Sequence, residues 1–185
     1  MQRILIIGSG GSGKSTLSAT LGQRLALPVI HMDALYWQPG WQEPEKPDWQ
    51  ARVQALCLGE RWVMDGNYSG TLAQRLAACD TVIFLDLPPL LCLWRALWRG
   101  FRYRGRVRPD MAEGCPEQLP DPAFLSWIWN YPKGSRPKVM ELLDAHRQGR
   151  RIIRLRSRRE VRQFLRELDW NPSVTAEHKP LSAET

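Results

Sequence analysis

The sequence predicts an α/β fold, a parallel sheet of five strands with helices on both faces. Three observations carry this reading. Short apolar runs recur along the chain, segments of helical spacing separate them, and the first run feeds directly into a glycine-rich turn followed by a helix. At 185 residues the chain suits one domain, which at this size buries roughly 70% of the surface its unfolded form exposes.

The first strand is Ile4 to Ile7. Behind it, Gly8-Ser9-Gly10-Gly11-Ser12-Gly13-Lys14-Ser15 completes the pattern G-x-x-x-x-G-K-[ST]. Glycines at these positions let successive N–H groups turn toward one phosphate, the Lys14 ammonium reaches the outer phosphates, and the Ser15 hydroxyl is placed to ligate Mg²⁺. With Thr16, these residues form the candidate site for ATP, held at the N-terminus of a helix that repeats Leu17, Leu21 and Leu25. Gly8, Gly10 and Gly13 also satisfy the dinucleotide fingerprint G-x-G-x-x-G, with Asp33 at about the distance of a ribose-binding acid. A dinucleotide site has no use for the Lys-Ser pair, so the triphosphate reading is preferred.

Val29 to Met32, Trp62 to Met64, Thr81 to Leu85 and Arg151 to Leu155 supply the remaining strands. A helix from Asp48 to Leu58 starts after Pro47 and stops at Gly59; Ser157 to Glu160 is a capping box opening a last helix that runs to about Leu168. Residues 1–169 thus read as one domain, and residues 170–185, which lack apolar periodicity, read as a disordered tail. The interval Gly100 to Pro122 holds glycine, proline and charge with no sustained period. It reads as a mobile insert, with Gly100 and Gly105 as its hinges.

Acids at the carboxyl ends of strands face the functional edge of a parallel sheet, and Asp33, Asp65 and Asp86 stand there. Each is also a residue type that forms turns and caps. Beside a phosphate loop they fit phosphoryl transfer, one carboxylate holding a magnesium-bound water and another accepting the proton of a substrate hydroxyl.

The formal net charge of +7 comes mostly from arginine, 21 Arg against 5 Lys. Arg95, Arg99, Arg102, Arg104, Arg106 and Arg108 form one cluster, with no acid between Asp86 and Asp110. The first cluster has the character of a catalytic element. A second cluster, from Arg147 to Arg162, reads as surface. Either can bind phosphate, and nucleic acid with it. Arg136, after the insert, is a further candidate for contacting the transferred phosphoryl group. Cys57, Cys79, Cys92 and Cys115 have neither zinc-site nor disulfide-framework spacing and read as reduced thiols in cytoplasm. No signal peptide or membrane span is expected, and no membrane partner. His31, His146 and His178 lack metal-like spacing and read as solvated or core residues.

With these motifs the chain resembles the P-loop small-molecule kinases of the adenylate and shikimate kinase group over most of residues 1 to 169. The resemblance implies a three-layer P-loop NTPase fold, nucleoside/shikimate-kinase-like, with a lid insert over about residues 97–120. Trp62-Val63-Met64-Asp65-Gly66-Asn67-Tyr68 stands where adenylate kinases carry an Asp-Gly motif whose Asp anchors the magnesium water, which makes Asp65, with Ser15, the metal candidate. Arg95 and Arg99 share the Arg-x-x-x-Arg spacing that in those kinases opens a lid closing over ATP, one Arg against the base and the other on phosphates. Asp33 matches a shikimate-kinase carboxylate that binds the acceptor hydroxyl, which makes it the candidate base.

The chain also resembles, along its whole length, the bacterial DNA topology modulation proteins, themselves adenylate-kinase-like. The shared stretches include His31-Met32-Asp33-Ala34-Leu35-Tyr36-Trp37, Arg108-Pro109-Asp110-Met111 and Gly114-Cys115-Pro116-Glu117. Departures fall where an adenylate kinase binds its acceptor: no arginine follows Asp33 closely, and Asn67-Tyr68 replace Phe-Pro-Arg. Tyr36, Trp37, Trp41 and Trp49 crowd this region, as an apolar wall for a planar or sugar-like acceptor or as cover for the sheet. Trp127, Trp129 and Tyr131 read as a helix packed on the core. Two function classes follow: an ATP-dependent phosphotransferase with an unidentified small acceptor, which is favoured, and a nucleotide-gated regulator that contacts DNA.

Overall fold

A computed structural model describes residues 1–170. In chain order the elements are β1 (Arg3–Gly8), α1 (Lys14–Leu25), β2 (Val29–His31), α2 (Met32–Tyr36), α3 (Lys46–Cys57), β3 (Trp62–Asp65), α4 (Ser69–Ala78), β4 (Thr81–Leu85), α5 (Pro89–Arg102), α6 (Pro122–Asn130), α7 (Ser135–Ala145), β5 (Arg151–Leu155) and α8 (Arg158–Trp170). The five strands form one parallel sheet in the order β2-β3-β1-β4-β5.

Alternation along β1 divides the core. Ile4 and Ile6 point to one face, where Leu17 and Leu21 of α1 and Phe164 and Leu168 of α8 cover them. Leu5 and Ile7 point to the other, against Trp49 and Val53 of α3, Leu72 and Leu76 of α4, and Tyr131 and Leu143 near α6 and α7. Both faces are dry, which is why the central strands are continuous apolar runs rather than alternating ones. Asp80 fastens the lower edge: its Oδ2 accepts the Gln2 and Arg3 amides at 2.7 Å each, and its Oδ1 accepts the Thr81 hydroxyl at 2.6 Å.

Most expected elements stand within one or two residues of their observed bounds. β2 is shorter than expected because the backbone turns helical at Met32, which moves Asp33 from the end of a strand into the first turn of α2. At Ser157 the capping box is formed: the Glu160 amide donates to Ser157 Oγ at 3.1 Å, and Glu160 Oε2 accepts the Arg156 amide at 2.8 Å. All four cysteines are free and buried. The expected tail lies outside the described residues from 171 on.

The insert differs from expectation in one respect. Gly100 is not a hinge: it lies buried within α5, and a Cβ there would meet Pro120 Cδ at 2.7 Å, so glycine lets the returning chain pack on the helix. Gly105, with φ of 72° and open space around it, keeps the geometry of a turn. Between Tyr103 and Asp121 the backbone is irregular, joined by bonds between Gly105 and Glu117 and between Glu117 and Arg106. Met111, Ala112 and Cys115 form a small cluster there on which Trp37 and Trp41 pack.

Candidate functional site

A cleft of about 910 Å³ runs from the glycine loop to the ends of β2 and β3. The loop is held by shape. A Cβ on Gly11, whose φ is 70°, would lie 2.1 Å from the Cys92 carbonyl oxygen, so α5 can approach the loop only because that residue is glycine. Phe124 of α6 packs under Gly10 in the same way, 2.6 Å from where its Cβ would be. Gly10 to Thr16 line the cleft. Gly8 and Ser9 form the back of the loop, the Gly8 amide donating to Asn67 Oδ1 at 3.1 Å.

Lys14 Nζ donates to the carbonyls of Gly8 (2.9 Å) and Ser9 (3.0 Å). Loss of solvent lowers its pKa from the usual lysine value, opposed by the charges of Asp33 and Asp65. Ser9 Oγ and Ser12 Oγ are buried without a partner. The unpaired Ser12 hydroxyl, the Lys14 ammonium and the uncapped N-terminus of α1 meet at the cleft and make a cradle rich in donors, the chemistry a phosphate chain satisfies.

Asp65 is 3% exposed and lies outside the cleft lining. Its Oδ2 accepts from Ser18 Oγ and lies 2.8 Å from His31 Nδ1. That hydrogen bond raises the pKa of His31, which itself lines the cleft. His31 is thus neither merely solvated nor part of the core. Asp33 lines the cleft and accepts the Tyr68 hydroxyl at Oδ1, 2.6 Å away. Burial and the Asp33 charge raise the Tyr68 pKa, so the phenol stays a donor. Beneath this turn lies Arg75, fully buried and lowered by burial to about 10. It donates to the carbonyls of Gly66 (2.7 Å), Asn67 (2.5 Å) and Tyr68 (3.0 Å) and so holds Tyr68 at its φ of 29°.

Of the first arginine cluster, Arg95, Arg99 and Arg108 line the cleft. Arg95 Nη1 donates to the Ser12 carbonyl at 3.1 Å, and burial with the nearby Arg158 charge lowers its pKa. Arg99 Nε donates to Glu117 Oε1 (2.8 Å) and Arg108 Nε to Glu117 Oε2 (2.6 Å), so one buried glutamate joins the end of α5 to the insert. Arg136 is not brought into the cleft. Its Nε lies 3.3 Å from Asp86 Oδ2, which also accepts from Arg154, so Asp86 is occupied by cations instead of facing the phosphate loop.

The second arginine cluster is split by the fold. Arg150 and Arg154 bond inward to the Ala77 carbonyl and Asp86, Arg158 and Arg162 line the cleft opposite Arg95, and Arg156 and Arg159 stay exposed. Tyr36, Trp37, Trp41 and Trp49 are absent from the cleft lining; Tyr36 packs on Trp49 and Tyr68, and Trp37 on Trp41, so they support the site rather than wall it. Trp127, read from sequence as core packing, does line the cleft, together with Phe124, their ring centroids 5.7 Å apart. Among the described residues no group of three or more His, Cys, Asp or Glu gathers as a metal site, and no helix is long and apolar enough to cross a membrane.

No family model matches the chain. It is 28% identical over 147 residues to the uncharacterized protein YqaC of Bacillus subtilis strain 168, a match covering 78% of this chain and 81% of that protein. Among solved structures it is similar to a gluconokinase from Sinorhizobium meliloti 1021, with 17% identity and a TM-score of 0.49 over 96% of this chain and 98% of that one. It is likewise similar to the deoxyadenosine kinase of M. mycoides with bound dCTP, with 15% identity and a TM-score of 0.49 over 91% and 99% of the two chains.

Proposed function

We propose that the protein is a P-loop phosphotransferase that moves the γ-phosphoryl group of ATP to the hydroxyl of a small acceptor. The observation that carries this reading is the continuity of the cleft, which joins the phosphate cradle at Lys14 to a carboxylate, Asp33, aimed by Tyr68. The loop amides, with the unpaired Ser12 hydroxyl, bind the phosphate chain. Lys14 exchanges the Gly8 and Ser9 carbonyls for phosphate oxygens, where it neutralises developing charge. Arg95 and Arg99 close on base and phosphates from α5.

Mg²⁺ fits the donors present, since such sites use one hydroxyl, phosphate oxygens and waters rather than a carboxylate cage. Ser15, which lines the cleft, would ligate it, and the ion would offset charge on the β- and γ-phosphates; Asp65, behind the lining, orients His31 instead of facing the ion. Asp33 positions the acceptor hydroxyl and takes up its proton as the phosphoryl group leaves.

The acceptor end also bears on substrate class. Arg108, which lines the cleft beside Pro109 and Asp110, is already bonded to Glu117 and Asp110, so its guanidinium is committed before an acceptor phosphate arrives. This favours an uncharged hydroxyl compound over a nucleoside monophosphate. The test is a panel of sugars, polyols, nucleosides and nucleoside monophosphates offered with Mg²⁺ and ATP, with ADP release as the readout. Turnover with a hydroxyl compound, lost in Lys14→Ala, supports the reading; turnover confined to nucleoside monophosphates overturns the acceptor class, and none with any compound overturns the activity.

A further inference from the structure

Of the nine large apolar side chains exposed among the described residues, five lie on α5: Leu90, Trp94, Leu97, Trp98 and Phe101, between 46% and 70% exposed. They share the helix face turned away from the cleft, while Cys92, Ala96 and Gly100 pack inward. Leu90, Trp94, Leu97 and Phe101 are spaced by four, three and four residues, the spacing of a seam that fits another helix. Trp98 flanks the seam, its ring parallel to that of Trp94 with centroids 6.2 Å apart.

We propose that this seam is a homodimer interface, in which α5 packs antiparallel on α5 of a second copy about a two-fold axis. The four positions are symmetric about a point between residues 95 and 96. An antiparallel two-fold therefore sets Leu90 against the partner's Phe101 and Trp94 against the partner's Leu97, and each aromatic ring meets an aliphatic side chain twice over. An isologous interface requires such self-complementarity.

Charge selects the direction. Arg102, Arg104 and Arg106 are exposed at the C-terminal end of α5 and beyond it, with no acid between Asp86 and Asp110. A parallel pair would bring both sets to one end, whereas the antiparallel pair holds them at opposite ends. A lipid surface suits the face less well. The apolar arc spans only about 100° of the helix, and cations border it along one edge, where Arg95 and Arg99 are committed to the Ser12 carbonyl and Glu117. The five side chains together expose on the order of 550 Å² per copy, short of the roughly 800 Å² per partner of a standard interface, so the dimer is concentration-dependent.

Sedimentation velocity of the full chain from about 1 to about 200 μM covers the range expected for an interface of that size. The mass should rise from one copy to two. Trp94→Glu with Leu97→Glu should hold it at one copy throughout, without moving the thermal melt or nucleotide binding. Under oxidation, Trp94→Cys with Leu97→Cys should crosslink between copies, while Leu97→Cys alone should not. A one-copy mass for the unaltered chain across the range overturns the proposal, as does equal crosslinking by Leu97→Cys alone, which would mean a parallel pair. A monomer that cosediments with phosphatidylglycerol vesicles through these same residues assigns the face to lipid and overturns it too.

Discussion

Tyr68 donates its hydroxyl to Asp33 Oδ1 over 2.6 Å, tying the turn after β3 to the first turn of α2 inside the cleft. The bond makes Asp33 an oriented acceptor. Tyr68→Phe should lower kcat/KM for the acceptor about 10-fold with the KM for ATP unchanged, the effect of losing one charge-assisted hydrogen bond. Asp33→Asn should lower kcat about 10²- to 10⁴-fold, the range of a lost general base. Steady-state kinetics on both substrates separates these outcomes; equal loss in both KM values would point to collapse of the cleft instead.

Lys14→Ala should lower turnover on the order of 10³-fold and leave the fold unchanged, because the ammonium lies in the loop and packs no core. Circular dichroism and single-turnover phosphoryl transfer check the two halves of that statement. Near-normal turnover would remove the loop from the chemistry.

Arg75→Met should destabilise the protein by about 3 kcal/mol, since three carbonyls of one turn, that of Gly66 buried and those of Asn67 and Tyr68 half-buried, lose their donor together. The melting temperature should fall by roughly 6–12 °C. Calorimetry reads the fall, and an unmoved melt would mean that the turn holds its shape without the guanidinium.

Glu117 gathers Arg99 and Arg108, so it is the latch between α5 and the insert. Glu117→Gln should speed tryptic cleavage at Arg102, Arg104 and Arg106 several-fold. A non-hydrolysable ATP analogue with Mg²⁺ should protect those sites in the unaltered chain by drawing Arg95 and Arg99 onto base and phosphates. Equal cleavage with and without saturating analogue would remove both arginines from the nucleotide site.

Asp80 carries a pH dependence. Burial pushes its pKa up, but the Thr81 hydroxyl and the amides of Arg3 and Gln2 outweigh this and leave it below the usual 3.8. A carboxyl lowered on folding contributes stability that is present above its unfolded value and is lost as pH falls through its folded one. Asp80→Asn should therefore lower stability by about 1–2 kcal/mol at neutral pH and flatten the acid limb of the stability profile below about pH 4. Urea unfolding at a series of pH values tests this; parallel curves for the two proteins would refute it.

The sheet was legible in sequence because parallel strands buried on both faces write themselves as apolar runs: Ile4 to Ile7 and Thr81 to Leu85 needed no partner to be recognised. The loop was legible because a phosphate cradle needs particular residues at adjacent positions, from Gly8 to Ser15. What brings Asp33, His31 and Tyr68 into one cleft is sheet order, which places β2 beside β3, and no local pattern encodes that order. Only the tertiary structure turned Trp37 and Trp41 toward Met111 and Cys115, gave Asp86 to Arg136 and Arg154, and carried Arg158 and Arg162 from the second cluster to the cleft. Side chains of one type have the same local signature whether they pair, pack or bind, and the contacts that decide among those roles come from residues tens of positions away.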